Sequence, residues 1–218
     1  MSLSYEQLEP DSQQVKKIVI LSHGYGADCK DLLSIAEHWK RFLPDCLFVC
    51  PNAPTVCQIN PSGYEWFDLM QTSQEKILEE FQVSLKKFIQ FMETLLEKYN
   101  LEEKDIFLMG FSQGTMMSLQ IALTCKTKIA GVLGYSGKIF NIPFLESKII
   151  SKPPIILFHG NMDDIIPLEE MYETYEFLKK NSFTVENKIF ENCGHSITPE
   201  GLSLGLNFIK SKISEIKL

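Results

Sequence analysis

The chain has 218 residues, 44% of them hydrophobic and 22% charged, and its 21 basic and 28 acidic side chains leave a formal net charge of −7. That length and apolar share fit one α/β domain with a sizeable buried core. The acidic balance, with no basic run, argues against a nucleic-acid partner, and no apolar run is long enough to insert stably in a bilayer.

The polar opening MSLSYEQLEPDSQQ has no apolar core of a secretory signal; it reads as a loosely ordered tail, residues 1–14, of a single domain over 1–218. Strand-like apolar runs follow at KIVILS (17–22) and CLFVCP (46–51), with His38 and Trp39 between them on an amphipathic helix. Residues 75–99 keep helical spacing through Phe81, Leu85, Phe88, Met92 and Leu95. DIFLMG (105–110) is strand-like, and 114–125 is apolar on nearly every face, as in a helix buried against a sheet. Strand candidates IAGVLGYS (129–136) and PIILFHG (154–160) come next, then helical spacing over 168–180 and a last strand candidate, TVENKIF (184–190). This alternation predicts a mostly parallel sheet with helices on both faces. The cysteines, Cys29, Cys46, Cys50, Cys57, Cys125 and Cys193, form no C-x-x-C pair. They read as reduced thiols of a cytoplasmic protein, and no Cys/His cluster has zinc-ligand spacing, so no metal is expected.

Between the strand at 105–110 and the helix at 114–125 stands Gly110-Phe111-Ser112-Gln113-Gly114, a G-x-S-x-G. At a strand-to-helix junction this motif holds a serine hydroxyl above the sheet in a strained backbone conformation. Strand and helix then cross too closely for side chains at the flanking positions, which explains the two glycines.

A serine needs a base to take its proton. In folds built around this turn the chain order is serine, acid, histidine. After Ser112 the available aspartates are Asp163 and Asp164, and the histidine that follows them is His195, in the loop ENCGHSITPEG. The acid pair lies just past a strand end, the edge where ligands collect in open α/β sheets. One of the two aspartates reads as a turn and cap ahead of Pro167; His159, ahead of the acid, reads as structural. For the tetrahedral intermediate, the backbone N–H of Gln113 at the helix start and that of Tyr25 in SHGYGAD (22–28) are the expected oxyanion donors.

LSHGYGAD, PNAP (51–54), EWFD (65–68), GFSQG, FHGNMDDIIP and GHSITPEGL (194–202) occur in that order. Together they resemble the phospholipase/carboxylesterase family, which includes acyl-protein thioesterase-like serine hydrolases. The resemblance implies an α/β-hydrolase fold without a large cap domain, a catalytic triad and no cofactor. It places the acid at Asp163, agrees with Ser112, His195 and the Tyr25 and Gln113 donors, and puts Trp66 near the substrate. Thr115 departs from it, standing where many members have a further glycine; Asp164 departs too, where a proline often follows the acid. The expected reaction is hydrolysis of a carboxylic ester or thioester through an acyl-enzyme on Ser112. The substrates implied are a small-molecule acyl ester or an acylated protein or lipid. The resemblance is compatible with homodimers, though no apolar stripe demonstrates one. YEWFDLM (64–70) and IFNIPFLESKII (139–150) are candidates to line an acyl groove. Peptide cleavage on the same fold and a non-catalytic binding protein are the rival readings.

Overall fold

Strand β2, Lys17–Ser22, sends Ile18 and Ile20 to one side and Val19 and Leu21 to the other, and all four are buried. A strand buried on both sides must lie inside a sheet that is covered on both faces. In the computed structural model, which describes residues 3–12 and 14–215, it lies between β3, Cys46–Pro51, and β6, Ile106–Phe111, both parallel to it. The sheet continues through β7, Gly131–Tyr135, β8, Ile155–Gly160, and β9, Val185–Phe190. With β1, Tyr5–Leu8, it has seven strands in the order β1-β3-β2-β6-β7-β8-β9.

Strand β1 corrects the expectation of a loose tail. Residues 1, 2 and 13 of that stretch lie outside the described residues, but Tyr5 to Leu8 pair antiparallel with Pro51 to Phe48. An edge strand needs one neighbour and can leave polar side chains in water, so its sequence carries no apolar run. The anchors are Leu3, which is buried, and the Tyr5 ring, 5.2 Å from Phe91. A second feature without an apolar signal is the short hairpin of β4, Thr55–Val56, and β5, Tyr64–Glu65.

Helices α2, Gln74–Tyr99, α3, Gln113–Thr124, and α5, Leu168–Lys180, cover one face, together with the short α4, Ile142–Glu146. Helices α1, Leu33–Lys40, and α6, Pro199–Glu215, cover the other. On α2 the stripe Phe81, Leu85, Phe88, Met92 and Leu95 is buried against the sheet. Each such side chain stabilises the packed state by about 1.5–3 kcal/mol. Ser73 caps the start of this helix by accepting from the Lys76 N–H, and Asn100 ends it in the left-handed region at φ 53°. No helix among the described residues is long and apolar enough to cross a membrane.

Two crossings fix where function can sit. The chain runs from β2 outward to β3 and then returns to the other side of β2 as β6, so the strand order reverses between β2 and β6. In open sheets the crevice at the carboxyl ends of such a pair is the binding position. Ser22 lies in register with Gly110 there, so the chain leaving β2 and the chain leaving β6 emerge side by side. Helix α3 then starts directly over β2. A Cβ on Gly114 would stand 1.9 Å from the Ser22 carbonyl oxygen, and one on Gly110 would stand 2.3 Å from the Gly114 carbonyl carbon. Both contacts are with backbone, which cannot rotate away. Gly114→Ala is therefore expected to lower stability by about 3 kcal/mol or more. The check is the urea unfolding midpoint, and a shift of less than about 1 kcal/mol would contradict the crossing as described.

Candidate active site

Ser112 occupies the turn between β6 and α3 with φ 53° and ψ −116°, a conformation that costs a non-glycine residue about 1–3 kcal/mol. Neighbouring hydrogen bonds hold it there. Its N–H donates to the Tyr135 carbonyl at 2.9 Å, and its carbonyl accepts from the N–H of Thr115 at 3.0 Å and of Met116 at 3.3 Å. Thr115 is accommodated by glycines opposite. A Cβ on Gly134 or Gly137 would meet its side chain at 2.7 or 2.4 Å. The threonine Oγ1 lies 2.7 Å from the Gly110 carbonyl oxygen and accepts from the Tyr135 N–H at 3.1 Å, tying the turn to β7.

The loop after β2 passes beside the serine: a Cβ on Gly24 would stand 3.3 Å from the Ser112 Cβ. This loop carries Tyr25, and its shape is set by the hairpin of β4 and β5. The Gly26 N–H donates to the Tyr64 carbonyl at 2.9 Å, the Tyr64 N–H donates to the Ala27 carbonyl at 2.7 Å, and the Asn60 amide donates to the Gly26 carbonyl at 2.7 Å. Gln113, first residue of α3, has a backbone N–H with no intrahelical acceptor. Its side chain is clamped, accepting from the Trp66 N–H at 3.1 Å and donating to the Phe67 carbonyl at 2.7 Å. One short segment, 64–67, thus braces both expected oxyanion donors.

Trp66 itself corrects the expectation that it lines the substrate site. Its indole is fully buried, stacks on Phe88 at 5.1 Å, and donates from Nε1 to the His23 carbonyl at 2.9 Å. It supports the loop from below. His23, buried as well, accepts the Ala53 N–H at Nε2, so its proton sits on Nδ1, 2.7 Å from the Gly24 carbonyl. Burial lowers its pKa, and the Gly24 hydrogen bond and the charges of Asp31 and Asp28 oppose that effect without reversing it.

His195 and Asp163 are brought together by adjacent strands. Gly160 and Phe190 end β8 and β9 in register, and the Met162 N–H donates to the Cys193 carbonyl at 2.8 Å, joining the two loops beyond. His195 Nδ1 lies 2.8 and 3.0 Å from the two Asp163 carboxylate oxygens. Asp163 is buried and also accepts from the N–H groups of Ile165 and Ile166 at 3.0 and 2.9 Å, whereas Asp164 is exposed. Burial alone would raise the Asp163 pKa; donation by Ile166, His195 and Ile165 outweighs it and holds the carboxyl below its ordinary value of 3.8. The imidazole of His195 packs 4.9 Å from the ring of Phe111, the residue before the serine. Asp163 and His195 are thus joined directly, and the imidazole reaches the serine turn; a hydrogen bond between the Ser112 hydroxyl and the imidazole is not among the described contacts.

Sequence reasoning left two contributors out. His159, read as structural, is buried with Nε2 2.8 Å from the Ile166 carbonyl oxygen and 3.4 Å from Asp163 Oδ2. Both neighbours are acceptors, so Nε2 carries the proton and a second imidazole steadies the acid loop. The available signal was its place in FHGNMDD, four residues before the acid. The side chain of Gln113 is the other, a polar group opening a helix that is almost wholly buried. The candidate groove segments 64–70 and 139–150 meet each other: the Phe67 and Phe81 rings lie 4.7 and 4.5 Å from Phe140.

A mostly parallel sheet with the serine on a strained strand-to-helix turn, and an acid and a histidine on the last two strand ends, defines an α/β-hydrolase. The sequence model of the Phospholipase/Carboxylesterase family matches residues 3–213, and the chain belongs to that family. It is 29% identical to acyl-protein thioesterase 1 of Gibberella zeae over 94% of each chain, and 27% identical to acyl-protein thioesterase 1 of Saccharomyces cerevisiae over 93% of this chain and 95% of that one. The crystal structure of esterase PE8 superposes with a TM-score of 0.92 at 34% identity, covering 97% of this chain and 99% of the other.

The Asp163 carboxyl titrates lower in the folded chain than in the unfolded one. Its stabilisation is therefore complete above the ordinary value and is lost as pH falls through the lower folded value. The stability gap between wild type and Asp163→Asn, read from urea midpoints, is expected to be widest above about pH 5 and to narrow as pH drops. A gap that widens toward acid pH would contradict this.

Proposed function

We propose that the protein hydrolyses carboxylic esters or thioesters through an acyl-enzyme on Ser112, with His195 as base and Asp163 as its orienting acid. The observation that carries this reading is the pairing of half-buried His195 with buried Asp163 at 2.8 Å, with the imidazole packed on Phe111 beside Ser112, which sits at φ 53°. Because Nδ1 of His195 is engaged by the carboxylate, Nε2 is the nitrogen left to take the Ser112 proton. Ser112 Oγ attacks the carbonyl carbon, and the carbonyl oxygen becomes an oxyanion facing the N–H groups of Tyr25 and Gln113. Such donors are each worth about 3–4 kcal/mol of barrier. The brace at 64–67 and the Trp66 bond to the His23 carbonyl keep them in position without reorganisation. Collapse of the intermediate breaks the bond to the leaving oxygen or sulfur, which takes the proton from Nε2. Water, deprotonated by the same imidazole, then attacks the acyl-enzyme and releases the acid.

The relatives named acyl-protein thioesterase 1 support acylated proteins as substrates, and the family description, phospholipase/carboxylesterase, supports acyl lipids and small acyl esters. The six free thiols, five of them buried, support a cytoplasmic setting. Ser112→Ala is expected to reduce kcat for p-nitrophenyl acetate by about 10⁴-fold or more and to abolish labelling by a fluorophosphonate probe. A variant that keeps most of its activity ends this reading.

A further inference from the structure

We infer that the cavity between the start of α1 and the loop entering α6 receives the leaving group of the substrate, and that it selects neutral or cationic alcohols and thiols over anionic ones. The inference rests on the hydrolase reading above and deepens it. The cavity measures about 450 Å³, and its wall includes His195 and Gly24. It is therefore continuous with the imidazole and with the loop that passes beside Ser112. Nδ1 of His195 is turned to Asp163, so the opposite nitrogen delivers the proton to the leaving atom. That atom must sit against the imidazole, and whatever it carries extends into the space the imidazole borders. On the side of segments 64–70 and 139–150 the Phe67, Phe81 and Phe140 rings pack against one another.

The chemistry of the walls sets the class of group admitted. Leu32 and Ile35 on the α1 side face Ile197 and Leu202 on the α6 side, giving two apolar walls. Asp31 adds a carboxylate at an exposed position, and among the described lining residues there is no lysine or arginine. His23, also in the wall, has one ring nitrogen accepting from the Ala53 N–H and so brings no positive charge. An apolar slot beside a lone carboxylate, in a chain of net charge −7, accepts a neutral or cationic group and repels phosphates.

The test holds the acyl group constant and varies the leaving thiol, using acetylthiocholine, S-ethyl thioacetate and acetyl-coenzyme A, with thiol release followed by a colorimetric reagent. Wild type is expected to show kcat/KM highest for the cationic and neutral thiols and lowest for the polyanionic one. Asp31→Lys, a surface change, is expected to raise the ratio of acetyl-coenzyme A to acetylthiocholine by about tenfold. Ile35→Trp, which fills the slot, is expected to depress the bulkier thiols relative to S-methyl thioacetate while leaving the dependence on acyl length, measured with S-methyl thioesters, unchanged. Ser112-dependent hydrolysis with an unmoved thiol ratio in Asp31→Lys, or an acyl-length profile altered by Ile35→Trp, overturns the subsite and leaves the hydrolase reading standing. Absence of any Ser112-dependent cleavage ends both.

Discussion

Everything at the site depends on the close crossing of β6 and α3 over β2. Gly114 lies so near the Ser22 carbonyl that no side chain fits between them, and Gly110 is equally tight against the Gly114 backbone. The proximity forces the chain through a turn that puts Ser112 at φ 53°, and the bond from its N–H to the Tyr135 carbonyl holds it there. A wider crossing would leave room for ordinary side chains, but it would relax the turn and move the hydroxyl. The strain of about 1–3 kcal/mol is sustained because the surrounding β-sheet and helix over-determine the turn.

Around that crossing the molecule uses backbone donors and buried rings to hold polar groups still. The brace at 64–67 fixes the Tyr25 loop and the start of α3 at once, which couples the two expected oxyanion donors through one peptide segment. Trp66 strengthens the same coupling from beneath, with its indole bonded to His23 and stacked on α2. On the other side, Asp163 is buried yet well supplied with donors, from two main-chain N–H groups and His195, with His159 close by. A buried carboxylate so supplied remains charged, and a charged acid fixes the tautomer of its histidine.

The strong apolar runs were legible. The strands at 17–22 and 46–51 agree with β2 and β3 to the residue, and helix α2 begins one residue before the spacing indicated. What lacked an apolar signal was missed. β1 is an edge strand with polar residues, and β4 and β5 form a two-residue pairing whose main task is hydrogen-bonding another loop. The glycine-flanked strand-to-helix turn singled out Ser112, and residue order singled out His195, the one histidine after the aspartate pair. It left the choice between Asp163 and Asp164 open, since neighbours in a loop look alike until one is buried among donors and the other faces water.

By itself the sequence determined the alternation of strands and helices, the glycine-flanked serine and the order of the groups behind it, because these rest on local periodicity and steric demand. Tertiary structure set Asp163, the aspartate the resemblance implies, against the histidine, and it alone decided that Trp66 supports the site from within the core and where open space remains beside the imidazole. Those outcomes depend on register between strands far apart in the chain and on which aromatic rings fill the gaps, and neither is encoded in any one segment.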